Sequence, residues 1–505
     1  MFWIIFACSV FAVLVLWALR DISQPRHAII RNFPIIGHMR YWLEAIGPEL
    51  RQYIVTNNNE ERPFSRDQRS WIYASSKKAN NYFGFGTDMD LEQSPNHLII
   101  KHSAFPINDL SPDDPNYDPL FTLPSARLIG KTRCRQKPHR PSSVINISAM
   151  SFGSLSAPAV EAINRGSKLA GCLQNTGEGG VSPHHQHGGD LVLQLGTGYF
   201  GCRNDDGTFN LEKLKQVVAA NPIKMIEIKL SQGAKPGRGG ALLASKITPE
   251  IARSRGIPMG KDCISPGRHS AFSDVDSMLD FVELLADETG LPVGIKSAVG
   301  QIEFWHELAV QMRETQRGVD FVAIDGGEGG TGAAPLVFAD RVSLPFKIGF
   351  NRVHHVFKEY GIRDEVTFIG SGKLGFPDAA LLGFALGCDM INVAREAMMS
   401  IGCIQAQKCQ TGHCPTGIAT QNKWLMRGLD PTYKAARLAN YVVTLRKEII
   451  QLCNAIGVDH PSKVLPEHFE IIHPDFCSSQ LSSHFGLAPR LESNGAANRL
   501  YELQV

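Results

Sequence analysis

Charge of one sign is what this sequence most plainly lacks. Its 505 residues hold 51 Lys and Arg against 49 Asp and Glu, a formal net charge of +2. That excludes a strong overall field drawing in nucleic acid or an anionic membrane. Internal repeats and low-complexity tracts are also missing. Charged residues make up 20% and apolar residues 43%, so most of the chain reads as folded globular protein. The length exceeds one simple core, although a single α/β barrel with extensions absorbs it.

Cysteine is sparse. There are 11, an odd number, and Cys8, Cys172, Cys388 and Cys453 stand alone in apolar or mixed stretches. This excludes a disulfide framework and points to a reducing compartment. The exception is the run Cys403-Ile-Gln-Ala-Gln-Lys-Cys409-Gln-Thr-Gly-His-Cys414-Pro415, spaced C-x5-C-x4-C. Thiolates this close are usually metal ligands. Tetrahedral zinc wants four ligands, and His413 offers a fourth. An iron–sulfur cluster takes one thiolate per coordinated iron, and a Cys-Pro end is familiar from such sites. The spacing favours a cluster and leaves zinc or plain buried thiols open.

Residues 1–19 carry no charged side chain. At about 1.5 Å per residue they match the hydrocarbon thickness of a bilayer. No basic region precedes them and no small-x-small cleavage site is evident, which favours an uncleaved anchor over a signal peptide. A buried helix is the other reading. Arg20, Arg26, Arg31 and Arg40 follow, with Asp21 and Glu44 the acids nearby. The positive-inside bias then predicts a single-pass protein of the cytoplasmic (inner) membrane, its catalytic domain facing the cytoplasm.

Residues 20–60 read as a connector with an amphipathic piece near Tyr41–Ile54. Residues 70–140 hold short apolar runs, His97–Ile100 and Leu120–Leu123, among many prolines. From about residue 143 apolar runs end in small residues and alternate with helical stretches. The runs are Val144–Met150, Met225–Leu230, Val293–Ser297, Phe321–Asp325, Val366–Gly370 and Met390–Ala394. The helices are Ala157–Leu169, Ser273–Glu288, Phe304–Thr315 and Pro377–Leu386. Alternation of this kind implies a parallel sheet. Eight such units close a barrel with its site at the C-terminal strand ends. The expected organisation is an anchor over 1–20, an extension over 21–140 packing on the barrel, the (β/α)8 barrel over 141–425, and a C-terminal helix with a partly ordered tail over 426–505.

Two loops, Gly327-Glu-Gly329-Gly-Thr-Gly332 and Gly370-Ser-Gly372-Lys-Leu-Gly375, fit G-x-G-x-x-G. A dinucleotide site is the first reading. However, Asp389 precedes the next apolar run, whereas a ribose-binding acid belongs at its end. Successive glycine loops suit a barrel better, where the loops after the seventh and eighth strands bind phosphate. Gly326, Gly327, Gly329, Gly330, Ser371, Gly372, Ala394 and Arg395 are the candidates, with Arg395 adding a bidentate contact.

Lys296 ends the apolar run Val-Gly-Ile-Lys-Ser and must be paired or functional, because burying a lone charge is costly. Near a flavin it would stabilise negative charge at N1 and C2=O. A salt-bridged barrel lysine is the plainer reading, and Lys229 is assigned to that role. Glu178 and Lys235 each lie in a glycine-rich stretch too poor in side chains to pack a core, which suits backbone held close to a ligand. Arg255 is a second candidate cation, His269 a candidate proton donor. The run His184-His185-Gln-His187 reads as a polar loop rather than a metal tract.

Met150-Ser-Phe-Gly-Ser-Leu-Ser, Asn175-Thr-Gly-Glu-Gly-Gly, Gln232-Gly-Ala-Lys-Pro-Gly, Ile264-Ser-Pro, Asp325-Gly-Gly-Glu-Gly-Gly-Thr-Gly-Ala and the cysteine run with Pro415-Thr-Gly-Ile-Ala-Thr-Gln421 follow one another in this order. Together they resemble the FMN-binding domain of glutamate synthase. The resemblance implies a (β/α)8 barrel carrying FMN and a [3Fe-4S] cluster on Cys403, Cys409 and Cys414. It implies reduction of 2-iminoglutarate, formed from 2-oxoglutarate and ammonia, by hydride transfer from FMN N5. Met150 and Ser151 would border the isoalloxazine and Lys296 its N1 edge. Glu178 and Lys235 would be catalytic, with Lys235 and Arg255 meeting the substrate carboxylates.

Three departures accompany this. The full enzymes begin with an amidotransferase domain. This chain opens with an apolar segment, so ammonia is expected from solution or another subunit. Ala241 stands where the family carries a polar residue, six positions after Lys235. Arg395 stands where the family usually has a small hydroxyl residue. The expected protein is thus a membrane-anchored oxidoreductase on a small 2-oxo or imino acid, taking electrons from a flavoprotein subunit or ferredoxin. Alternatives are an N-methylglutamate synthase-like enzyme, a flavin dehydrogenase feeding a membrane quinone, and a membrane scaffold with a degenerate barrel.

Overall fold

The computed structural model describes residues 1–487 except 83, 88, 93 and 476. The chain divides into two compact units, Met1–Ser70 and Trp71–Val505.

In the first unit, the apolar residues form one helix, Phe2–Ser23, long and apolar enough to cross a membrane, with no buried residue in its most apolar window. The chain then turns through a short helix, Ala28–Asn32, into a third, His38–Leu50, which continues as a wider helical turn, Arg51–Val55.

In the second unit, eight parallel strands close into a barrel. In chain order they are Ile145–Ile147, Gln174–Asn175, Leu191–Leu195, Ile223–Lys229, Val293–Ser297, Phe321–Asp325, Thr367–Ser371 and Met390–Val393. The eighth pairs with the first, Ile391 opposite Ile145. The six apolar runs of the sequence are strands of this barrel. Gln174–Asn175 carries no apolar run, because its residues belong to an internal amide network: Asn175 Nδ2 donates to Glu227 Oε1 at 2.8 Å and Asn164 Nδ2 to Gln174 Oε1 at 2.7 Å. A short 3-10 turn, Pro183–His185, stands where an α-helix follows most other strands.

Helix Ala157–Ala170 starts at Ser156, whose side chain caps Ala159 N–H, and stops at Gly171 with φ 66°. The long helix Pro431–Ile456 packs along it. A Cβ on Gly166 would lie 2.8 Å from Leu438 Cβ, so glycine permits this close approach.

Residues 127–135 plug the N-terminal end of the barrel. Ile129 joins Leu173, Met225, Phe321 and Met390 in the barrel core. Arg127 pairs with Asp389 and Asp364, Arg133 with Glu365, and Arg135 with Asp320 and Glu283. Within the tail expected to be partly ordered, Phe469–Ile472 pairs antiparallel with His97–Ile100 and with Ser478–Gln480. The rest of that tail, 488–505, lies outside the described residues.

Candidate active site

Every glycine loop singled out in the sequence emerges at the C-terminal end of a barrel strand, where such barrels carry their chemistry. The loop with Met150 and Ser151 follows the first strand, and that with Glu178 the second. Lys235 follows the fourth, the 326–332 loop the sixth, the 371–375 loop the seventh, and Ala394 with Arg395 the eighth. The two glycine loops therefore belong to the sixth and seventh strands, one earlier than expected, and the eighth contributes Arg395.

Close approach explains the glycines. A Cβ on Gly177, at φ +65°, would sit 2.6 Å from Ser151 N, and one on Gly233 would overlap Gly326 O at 1.8 Å. Loops from the first and second strands, and from the fourth and sixth, thus touch backbone to backbone.

Two lysines lie opposite each other in register, Lys229 on the fourth strand and Lys296 on the fifth. Adjacent buried cations repel unless each has an acid. Lys229 Nζ meets Glu178 Oε1 at 3.0 Å, and Lys296 Nζ meets Asp325 Oδ2 at 3.6 Å. Asp325 Oδ2 also accepts from Gly233 N–H at 2.9 Å. Burial works against the Lys296 charge, but Asp325, then Glu227, outweigh it and raise its pKa above the ordinary value. Burial likewise works against the Glu178 carboxylate. Lys229 foremost, then Lys235 and Arg255, reverse this and hold its pKa below the ordinary range. Lys229 is thus a salt-bridged barrel lysine, the role its sequence setting gives it.

Lys235 Nζ donates to Gly239 O at 2.8 Å. Burial lowers its pKa, against the pull of Glu178. Arg255 ends the helix Pro249–Arg255 and is buried. Its Nη2 donates to Phe152 O at 3.0 Å and to Ser151 Oγ at 3.3 Å, and its plane lies over Phe200. Its Nε and the hydroxyl of Ser265 are buried without a partner. Ser265 and Glu178 are neighbours across Gly240: a Cβ there would lie 2.8 Å from Glu178 Oε1 and 3.3 Å from Ser265 Oγ. Sequence reasoning includes Ser265 in the Ile264-Ser-Pro motif but gives it no role of its own. Ala241 lies on an exposed position of a small hairpin with Ile264.

His269 is not placed as a proton donor. Its ring nitrogens sit 3.0 Å from Tyr199 Oη and from the Lys229 carbonyl, so it props the fourth strand. The histidine run is a polar loop as expected: His184 meets Glu250, and buried His185 Nδ1 accepts from Ser182 N–H. Asp389 accepts from Phe368 N–H and from arginines at the opposite barrel end, which disposes of the ribose-acid reading.

In the two glycine loops, the amides of Gly326, Gly327 and Gly329 donate to Ser371, Leu344 and Gly326 carbonyls. The Glu328 carboxylate accepts from Phe346 N–H at 2.9 Å, at the start of helix Phe346–Glu359. A Cβ on Gly372 would lie 3.2 Å from it. The Glu328 carboxylate therefore fills the helix N-terminus between the two loops. Arg395 packs on Gly330 and donates to the Glu328 carbonyl.

The cysteine loop adjoins the same region, since a Cβ on Gly332 would lie 3.2 Å from the Cys409 carbonyl. Cys403 Sγ accepts from Gln405 N–H at 3.4 Å, and Lys246 Nζ donates to Cys409 O at 3.0 Å. The three thiols are near enough to interact electrostatically. Among the described residues no three such side chains converge on a point fit for a single metal ion.

A closed parallel (β/α)8 barrel with paired lysines and acids at its C-terminal mouth has the architecture of a barrel enzyme. The family model for the conserved region in glutamate synthase matches residues 121–459. The chain is 39% identical over 487 residues to the glutamate synthase large subunit-like protein YerD of Bacillus subtilis (strain 168), covering 90% of this chain and 92% of that protein. It is 35% identical over 319 residues to the archaeal glutamate synthase (NADPH) of Methanocaldococcus jannaschii, covering 62% of this chain and 59% of that protein. The chain belongs to the glutamate synthase family, whose members are oxidoreductases acting on CH–NH2 donors. Among solved structures, a flavocytochrome b2 variant with sulfite bound aligns at 13% identity and TM-score 0.44, over 80% of this chain and 82% of that one.

Proposed function

We propose that this protein is a glutamate synthase-type flavin oxidoreductase that reduces a 2-imino acid, 2-iminoglutarate, to the amino acid. The observation carrying this reading is the charge balance around Glu178. One carboxylate is set among Lys229, Lys235 and Arg255, and the Arg255 Nε and Ser265 hydroxyl have no protein partner. Three cations to one acid favour a dianionic substrate, and unpaired buried donors favour its carboxylate oxygens.

FMN fits the rest of the mouth. Lys296 offers a buried cation, the glycine loops a surface free of side chains, and the Gly330, Gly372 and Arg395 region a place for its phosphate. When bound, FMN supplies a hydride from N5. The residues of this chain then do the remainder. Arg255 and Lys235 hold the substrate carboxylates. Lys235, its pKa lowered by burial, gives a proton to the imine nitrogen as the carbon accepts the hydride. Glu178 keeps Lys229 and Lys235 in place. Cys403, Cys409 and Cys414 would hold a [3Fe-4S] cluster, which supplies one-electron transfer from a donor protein. The exposed Phe2–Ser23 helix supports a membrane anchor, and with it a second reading: the reverse reaction, with electrons passed to a membrane quinone.

The test uses anaerobically purified protein with its FMN reduced. Reoxidation is expected only when 2-oxoglutarate and ammonia are added together. Flavin indifferent to that pair but reduced by an amino acid gives the reaction to the reverse reading. Cys409→Ser should lose bound iron and visible cluster absorption while FMN stays. Unchanged iron content removes Cys409 as a ligand.

A further inference from the structure

We propose that helix His38–Leu50, with the turn Arg51–Val55, lies along the membrane surface as a second lipid contact beside the Phe2–Ser23 span. The inference rests on reading that span as an anchor. In the helix, Met39, Trp42, Leu43, Leu50, Tyr53 and Ile54 recur at the three-to-four-residue spacing of one helix face. All six are exposed, Trp42 at 62% and Ile54 at 74%. A water-facing helix of a folded domain would bury such a stripe. Arg40, Glu44 and Arg51 fall on the other side, the pattern of a helix lying in a headgroup layer.

Its depth follows from contacts within the same unit. Trp17 Nε1 donates to His38 Nε2 at 3.3 Å, and His38 Nε2 sits 3.0 Å from both Asp21 oxygens. Asp21 Oδ2 also accepts from Ile35 N–H at 2.8 Å. The second helix therefore starts beside the last turns of the first. Residues 2–19 rise roughly 27 Å, about one hydrocarbon thickness, so those turns come at the interface. Exposed Arg26 and Arg31 lie in the connection between the helices, where they complement anionic headgroups.

A diazirine-bearing phenylalanine analogue is placed at Trp42, Glu44 or Phe11 of the full chain, reconstituted in phosphatidylethanolamine–phosphatidylglycerol vesicles. Illumination should give lipid adducts at Trp42 several-fold above those at Glu44. Equal yields at the two positions, cross-links from Trp42 to protein, or none at Trp42 overturn the surface contact. Phe11 reports the span separately: if it finds no lipid, the anchor reading itself fails.

Discussion

The two ends of the barrel both bury arginines and carboxylates, and they treat them differently. At the N-terminal end the charges are closed. Arg135 meets Asp320 and Glu283 and gives a further N–H to Gly318 O; Arg133 meets Glu365 and gives one to Gln316 O. At the C-terminal end Arg255 rests on the Phe152 carbonyl, the Ser151 hydroxyl, the Cys263 thiol and an aromatic face, with its Nε open. Arginines satisfied on all sides hold the extension to the barrel. Donors left open are held ready for an anion.

The sharpest break of this contrast falls on Lys296. Lys296→Gln should cost about 10²–10³-fold in turnover, the scale of removing a charge aimed at a developing anion. Stopped-flow flavin reoxidation reads it, with bound FMN measured beside it. A near-normal rate would move Lys296 to the structural side. Next comes the closed end. Arg135→Ala strands two carboxylates and should lower stability by about 3–5 kcal/mol, the cost of breaking a buried pair. Thermal unfolding measures it, and turnover per folded molecule should not change.

Smaller effects follow at the open end. Lys235→Ala should raise KM for the acidic substrate about tenfold, one charged hydrogen bond's worth, and slow turnover through loss of the imine's proton donor, with FMN retained. An unchanged KM removes Lys235 from the substrate. Last is a pH effect. Glu178 has its pKa lowered in the folded protein, so its stabilising contribution is full above the ordinary carboxylate range and is lost as pH falls through the lowered value. Lys229→Gln removes its main cationic neighbour, and the acidic limb of the activity profile should move to higher pH.

Most of the barrel was legible because apolar strands announce themselves. Val293–Ser297 and Phe321–Asp325 have the same bounds in sequence and structure. Gln174–Asn175 was not legible, since two amides held inside a barrel look like a loop. Leu191–Leu195 was missed although apolar, and so was the amphipathic helix Phe346–Glu359. Glu178, Lys235 and Lys296 stand out in the sequence because charge in a glycine-rich or apolar setting demands an explanation, whereas Arg255, on a helix, has no such setting. Lys229 and Ser265 depend on neighbours distant in sequence: Glu178 for the lysine, and the glycine-permitted approach at Gly240 for the serine. The partnership of His97–Ile100 with Phe469–Ile472 was beyond reach for the same reason, as nothing local records a strand pairing across so many residues.

That pairing, with helix Pro431–Ile456 seated on Ala157–Ala170, sets an order of assembly. The first barrel helix waits, its apolar face open, until the last long helix has been made. Closure late in translation, on long-range contacts, is slow and leaves sticky surface exposed meanwhile.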